Sequence, residues 1–162
     1  MILDVFIIAL LLSLILKKRI FHLDKLEIKA IYLFPVPFII QILPFQQRGL
    51  LMAISYGLLF AAMILNWKIN GFKFMAAGSA MNALVILFNN GKMPVYEPFA
   101  RMLELDLTVK HTFVYSFSEK LILGDWIPII LPWARKFLIS PGDILIYAGV
   151  FIFFLTIEKT HR

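Results

Sequence analysis

Long apolar runs separated by short polar segments dominate the pattern of this chain. Five runs cover residues 1–16, 30–45, 49–67, 71–88 and 141–157. Helices of roughly 17–25 predominantly apolar residues are long enough to cross a bilayer. The pattern therefore predicts an all-α integral membrane protein, in which a single domain forms a bundle of about five transmembrane helices.

Composition and charge favour the same fold. Of the 162 residues, 61% are hydrophobic and 16% are charged, whereas soluble domains average about 45–50% and about 25%. The net charge of +6 comes from bases beside the apolar runs, and this placement is typical of membrane topology rather than of nucleic-acid binding. The lipid bilayer is therefore the expected partner, together with other membrane protein subunits, and nucleic acid is not.

The bases at the ends of the short loops predict an orientation. If the N-terminus lies outside, the inside loops hold nine bases and the short outside loop holds only Arg48, which is the positive-inside pattern. The C-terminus is then cytoplasmic. The nine inside bases are Lys17, Lys18, Arg19, Lys25, Lys29, Lys68, Lys73, Lys159 and Arg162.

The segment 89–143, between the last two runs, is predicted to lie outside and to fold back as a lid. Charged positions among apolar ones over Val95–Asp106 predict a short amphipathic helix on the membrane surface. The apolar stretch Trp126–Trp133 is too short to cross a bilayer and contains two prolines, so it predicts an interfacial or re-entrant piece.

Small residues at helical spacing mark the third and fourth runs. Ala53, Gly57 and Ala61 lie on one face, and Ala76 and Ala80 lie on another. Such rows allow helices to approach closely, so a packing seam between the two helices is predicted, with a binding groove as the alternative.

Polar residues at the end of the fourth run predict a pocket. Asn82 and Asn89 are seven positions apart and share a helix face. A hydrogen bond from Asn82 to a neighbouring helix explains that residue without any function, and Asn90-Gly91 is a turn signal that needs none. The functional alternative is a ligand pocket formed by Asn82, Asn89, Asn90, Gly91, Met93, Pro94, Gly124 and Ser140.

Two aspartates carry the candidate chemistry. In Ser140-Pro141-Gly142-Asp143, a Ser, a Pro and an acid three positions after the Ser predict a capped helix start. Asp125 could similarly cap a short helix that contains Pro128. The alternative is a catalytic pair of Asp125 and Asp143, of which one retains a proton and the two activate a water molecule. His111 is then a candidate general base. No cofactor motif, metal-ligand spacing or nucleic-acid motif is present.

At these motifs the chain resembles a family of bacterial multi-pass membrane proteins known only as a domain of unknown function. Its members have an Asn-rich fourth span, an Asn-Gly-Gly-x-Met-Pro-like turn, a His, a Leu-Gly-Asp-x-Ile-Pro element and a Ser-x-Gly-Asp opening of the last span. The corresponding residues are Asn82, Asn89–Pro94, Lys110-His111, Leu123–Pro128 and Ser140–Asp143, with Lys92 in place of the second Gly. The resemblance implies a bacterial inner-membrane protein and no assigned activity.

A weaker resemblance is to lipoprotein signal peptidase, a membrane aspartic protease. The last span of that enzyme also opens with a catalytic Asp, in an Asn-x-Ala-Asp element similar to Ser140–Asp143. Its other catalytic Asp lies in Gly-Asn-x-x-Asp-Arg, whereas Asp125 follows Gly124 without the Asn and precedes Trp126. The resemblance implies a hydrolase that uses Asp125 and Asp143.

Three hypotheses of function follow. The first is a non-enzymatic protein, either an assembly subunit or a module that binds a small ligand or lipid in the polar pocket. The second is an intramembrane aspartyl hydrolase or peptidase. The third is a small transporter, suggested by the prolines of the second run, although the chain has no visible internal repeat.

Overall fold

Helices occupy the apolar runs, and short strands occupy the segment between the last two of them. The computed structural model describes residues 1–16, 27–42, 48–105 and 111–156. The helices are α1 (Ile2–Ile15), α2 (Pro35–Ile42), α3 (Arg48–Leu65), α4 (Phe72–Phe88), α5 (Glu97–Met102) and α6 (Pro141–Thr156). The strands are β1 (Met93–Tyr96), β2 (His111–Val114), β3 (Ile127–Ile130) and β4 (Lys136–Ile139). Two short 3₁₀ turns are Ile31–Leu33 and Glu119–Leu121.

Helix α4 is the centre of the fold. It packs against α6 on one side and α3 on the other, while α1 packs on α6 and α2 packs on α3. The main apolar core lies among these helices and includes Ala9, Phe72, Ala76 and Phe154. A second apolar cluster joins Met93 of β1 to Met52, Val85 and Ile86. The strand segment is thereby packed onto the helices.

Glycines allow α4 and α6 to approach more closely than side chains would permit. A Cβ atom on Gly78 would lie 2.2 Å from the carbonyl oxygen of Gly142, and one on Gly71 would lie 2.1 Å from that of Gly149. The predicted seam on α3 is wrong at Gly57 and Ala61, since both are exposed and a Cβ on Gly57 would meet nothing within 4 Å. The close helix contact is therefore between α4 and α6.

Two small sheets make the all-α prediction wrong. Strands β1 and β2 are parallel, with Met93 opposite His111, and β3 and β4 are antiparallel, with Ile127 opposite Ile139. The stretch Trp126–Trp133 thus contains β3 and a turn rather than a re-entrant piece. The range Val95–Asp106, predicted as an amphipathic helix, starts within β1, and of its described residues only Glu97–Met102 are helical.

Among the described residues, no helix is both long enough and apolar enough to cross a bilayer. The prediction of five transmembrane helices is therefore wrong. The prediction of a multi-pass inner-membrane protein with an outside N-terminus is wrong for the same reason.

Parts of the predicted topology fall on residues that the structure does not describe. The basic residues Lys17, Lys18, Arg19 and Lys25, the end of the second run near Phe45, and Lys159 and Arg162 lie outside the described ranges. The same holds for Asp106 and Lys110 in the segment before β2.

Candidate functional site

Residues of three helices and of the first sheet line a cavity of about 140 Å³. Its volume is sufficient for several water molecules or for one molecule of a few heavy atoms. Both candidate aspartates line it, together with apolar side chains from α3, α4 and β1. The lining residues are Met52, Tyr56, Asn82, Ile86, Gly91, Met93, His111, Asp125 and Asp143.

On the helix side of the cavity, Asp143 caps the helix that it belongs to. Its backbone N–H donates to Oγ of Ser140 at 3.0 Å, and the N–H of Ser140 donates to Oδ2 of Asp143 at 3.1 Å. This reciprocal pair satisfies N–H groups that have no partner within a helix. The capped helix start predicted at Ser140 is thus confirmed.

Asn82 connects this cap to α4. Its Nδ2 donates to Oδ1 of Asp143 at 2.9 Å, and its Oδ1 accepts from Oγ of Ser140 at 2.8 Å. Asn82 and Ser140 are buried, and Gly142 leaves room for the amide, since a Cβ there would lie 2.1 Å from Oδ1 of Asn82. Both carboxylate oxygens of Asp143 therefore have partners. We refer to Asn82, Ser140 and Asp143 as the helix-side network.

On the strand side of the cavity, backbone hydrogen bonds hold Asp125 against β1. Its N–H donates to the carbonyl of Pro94 at 2.8 Å, and its carbonyl accepts from the N–H of Tyr96 at 2.9 Å. Gly124 permits this approach, because a Cβ there would lie 2.5 Å from the carbonyl oxygen of Pro94. Asp125 caps no helix, since Pro128 lies in β3, so that structural interpretation is wrong.

The side chain of Asp125 is buried without complete hydrogen bonding. Only 8% of the residue is exposed, and its Oδ1 has no hydrogen-bond partner among the described residues. Burial, followed by the charge of Asp143, raises the pKa of Asp125 well above its ordinary value of 3.8. A buried polar atom without a partner is rare in folded proteins and calls for a physical explanation.

The phenol of Tyr56 remains protonated in this environment. Burial raises its pKa, and the charges of Asp143 and Asp125 raise it further. Tyr147 is affected by the same causes in the same order, with a smaller contribution from Asp4. The charges beside the cavity are therefore predominantly negative, and no Lys or Arg is among its described lining residues.

The structure brings six of the predicted site residues to the cavity wall: Asn82, Gly91, Met93, His111, Asp125 and Asp143. The others lie beside it. Nδ2 of Asn89 donates to the carbonyl of Lys92 at 2.9 Å, and Asn90 and Gly91 have positive φ angles of 53° and 77°, as the predicted turn requires. Pro94, Gly124 and Ser140 position the two aspartates through the contacts described above.

Sequence reasoning missed Met52, Tyr56 and Ile86. Met52 and Tyr56 are four residues apart, so they share a face of α3, and a phenol within an otherwise apolar run was a usable signal. No set of three His, Cys, Asp or Glu side chains in the described part of the chain is arranged to hold a metal ion.

Comparison with known proteins places the chain among relatives without an assigned activity. A family model described as "Family of unknown function (DUF5317)" matches residues 25–155. An uncharacterized protein of Thermotoga maritima is 50% identical over 155 residues, which cover 96% of this chain and 90% of that protein. No solved structure matches the chain.

Proposed function

The chain belongs to the family of unknown function DUF5317, whose description assigns no activity, and we propose that it binds a small molecule in the cavity between Asp125 and Asp143. The observation that supports this function is that Asp125 lines this cavity while its buried Oδ1 has no hydrogen-bond partner among the described residues. A ligand that donates a hydrogen bond would satisfy this atom.

The cavity has the general composition of a ligand site. Apolar side chains of Met52, Ile86 and Met93 form one part of its wall, and a few polar groups converge on the other part. At about 140 Å³ it suits a molecule of a few heavy atoms and not an extended peptide.

A panel of small charged and neutral molecules tests the proposal by ligand-dependent thermal unfolding. A ligand that binds only the folded protein raises its unfolding temperature in a saturable manner. We expect at least one probe to do so with the wild-type chain. A Met52→Trp substitution would fill the cavity and should abolish the effect.

Met102→Trp is the matched control, because Met102 is exposed on α5 and does not line the cavity. It should retain the wild-type response. The proposal fails if no probe gives saturable stabilisation, or if Met52→Trp responds to the probe as Met102→Trp does.

Hydrolysis by the two aspartates is the second candidate. The influence of Asp143 on the pKa of Asp125 favours it, because such a pair can hold one proton and activate a water molecule. Against it, both oxygens of Asp143 already accept hydrogen bonds in the helix-side network. Following a bound ester or amide by NMR distinguishes the two, since hydrolysis predicts turnover that Asp125→Asn and Asp143→Asn both abolish, and binding alone predicts none.

A further inference from the structure

We propose that the ligand of this cavity is a small organic cation with a primary ammonium group, held by the carboxylates of Asp125 and Asp143. This inference rests on the proposed binding function and names the chemical class of its ligand. It follows from the numbers of hydrogen-bond acceptors and donors around the cavity, from its charge, and from its apolar lining.

Two of the residues that line the cavity bring hydrogen-bond acceptors. Oδ1 of Asp125 is buried without a partner among the described residues, and each oxygen of Asp143 accepts one hydrogen bond from a described residue and has a second lone pair. An ammonium group has three N–H donors and no acceptor. An ammonium group therefore matches a pair of carboxylates better than a hydroxyl group does, because a hydroxyl group has one donor and two lone pairs.

The charge of the cavity excludes anions. Two carboxylates line it, and the amide of Asn82 is already donating to Asp143. An anionic ligand would meet the charge of Asp143, and also that of Asp125 wherever Asp125 is ionised, in a partly buried site where repulsion between like charges is stronger than in water. A neutral ligand would leave the negative charge without compensation.

The apolar residues define the rest of the ligand. Met52 and Ile86 come from two helices and Met93 from β1, and all three are buried. These side chains suit a short alkyl group next to the ammonium, and the volume of about 140 Å³ limits that group to a few carbons. Ethylammonium is a suitable probe, with ethanol and acetate as neutral and anionic molecules of similar size.

Binding of this cation is coupled to release of a proton. In the empty cavity the carboxyl group of Asp125 is protonated over a wider pH range than an exposed aspartate. On binding, the O–H bond of Asp125 breaks, its proton leaves to solvent, and the resulting carboxylate pairs with the ammonium group. Total charge is conserved, because one cation enters and one proton leaves.

Other titratable groups face the same space from the elements around it. They are Asp143 from α6, Tyr56 from α3 and His111 from β2, with Tyr147 on α6 near enough to be affected by both aspartates. The tyrosines keep their protons, since the pKa of each is raised. A protonated His111 would repel the cation. Protonation of His111 and protonation of Asp125 would therefore both weaken binding at low pH.

Isothermal titration calorimetry on the full chain tests the inference. We expect ethylammonium to bind about tenfold or more tightly than ethanol or acetate, since hydrogen bonds between charged groups are roughly twice as strong as neutral ones. Its affinity should rise with pH, by at most about tenfold per pH unit while one proton is released. Titrations in two buffers of different ionisation enthalpy measure that release directly and require no variant.

The Asp125→Asn variant tests whether the released proton comes from Asp125 or from His111. The variant should bind ethylammonium about tenfold more weakly and release less proton, since an amide keeps the shape without the charge. Glu119→Gln removes an exposed carboxylate outside the cavity and should bind as wild type does.

The cation inference is overturned if ethanol or acetate binds as tightly as ethylammonium, if no proton is released, or if folded Asp125→Asn binds as wild type does. Absence of saturable ethylammonium binding overturns it as well. The broader panel with Met52→Trp decides the proposed binding function separately. If ethylammonium does not bind, but a neutral probe binds wild type and not Met52→Trp, the binding function stands and the cation is rejected.

Discussion

Each side of the cavity contributes one aspartate carboxyl group, and the two groups differ in their hydrogen bonding. On the helix side, Asp143 lies at the start of α6, and both of its oxygens accept hydrogen bonds within the helix-side network. On the strand side, the backbone of Asp125 is hydrogen-bonded to β1, but its Oδ1 has no partner among the described residues. The first carboxylate thus caps a helix, and the second has the oxygen that, in our proposal, a ligand would satisfy.

This difference arises from local backbone geometry. A helix start leaves N–H groups without partners, and an acid three residues after the cap can accept from them. A residue bridged to a strand uses its backbone groups in the bridge, so its side chain receives none of those donors. The comparison predicts that substitutions on the helix side alter mainly stability, and that substitution of Asp125 alters mainly ligand binding and its pH dependence.

The largest effect is expected where α4 and α6 touch beneath the helix-side network. Gly78→Ala would place a Cβ 2.2 Å from the carbonyl oxygen of Gly142, a backbone atom that moves only if the helices separate. Overpacking costs typically about 1–3 kcal/mol, and we expect about 3 kcal/mol in the free energy of unfolding, measured by denaturant titration.

Gly57→Ala is the control, because its Cβ meets nothing within 4 Å. In a helix interior this change should stabilise the protein by about 0.5–1 kcal/mol. Equal effects of the two substitutions would show that the close contact between α4 and α6 does not hold the helix side together.

The next effect is expected at Asn82, the residue that joins α4 to the cap of α6. Asn82→Ala removes the donor to Asp143 and the acceptor of Ser140, and it leaves the buried hydroxyl of Ser140 without that acceptor. We expect the free energy of unfolding to fall by about 2 kcal/mol, within the range of about 1–3 kcal/mol for a buried group left unsatisfied.

Asn89→Ala is the matched change seven positions later, at the residue that follows the end of α4. It removes one exposed hydrogen bond to Lys92, so its cost should stay below about 1 kcal/mol. If the two alanine variants unfold with the same free energy, the helix-side network does not have the structural role assigned to it.

The sequence located the helices far better than the strands. Helices α1, α3, α4 and α6 lie within or close to four of the apolar runs, because a buried helix needs continuous apolar surface. Strands β1 and β3 each have four residues and contain Pro94 and Pro128. Proline inside a run argues against a central strand, yet these residues lie in two-stranded sheets, whose outer edges do not require every N–H.

Most of the polar residues of the site were accessible to sequence reasoning, whereas Met52, Tyr56 and Ile86 were not. Asn82, Asp125, Asp143 and His111 stand out as polar residues in or beside apolar runs. Tyr56 lies 26 to 87 positions from these residues, and no motif spacing links it to them; only the packing of α3 against α4 brings it to the cavity. Transmembrane helices were inferred from hydropathy alone, which does not report where each helix ends.

A third prediction concerns the pH dependence of stability at Asp125. Between its ordinary pKa of 3.8 and its raised value, the folded protein binds more protons than the unfolded chain, so this residue makes stability fall as pH rises. Asp125→Asn should remove that contribution. Relative to wild type, the variant should therefore gain stability between acidic and high pH.

Thermal or denaturant unfolding of both proteins at a series of pH values measures the difference. A constant difference between wild type and Asp125→Asn at every pH would mean that the carboxyl group titrates alike in the folded and unfolded states. The distinction between the two aspartates would then lose its electrostatic basis.

The smallest effect is expected at Ser140, which completes the cap of α6. Ser140→Ala removes one acceptor of the Asp143 N–H and one donor to Asn82, and we expect a cost of about 1 kcal/mol, typical of a lost helix cap. Ser140→Thr retains the hydroxyl and should recover part of that stability in the same unfolding assay. A Ser140→Ala protein as stable as wild type would contradict the cap.

A pH titration of the Asp125 side-chain carboxyl carbon by NMR, with and without ethylammonium, tests the central claim most directly. The account predicts a midpoint well above 3.8 in the free protein and a lower midpoint when the cation is bound, because the ammonium group favours the ionised carboxylate. A midpoint near 3.8 that ethylammonium leaves unchanged would contradict both the buried state of Asp125 and its contact with a cationic ligand.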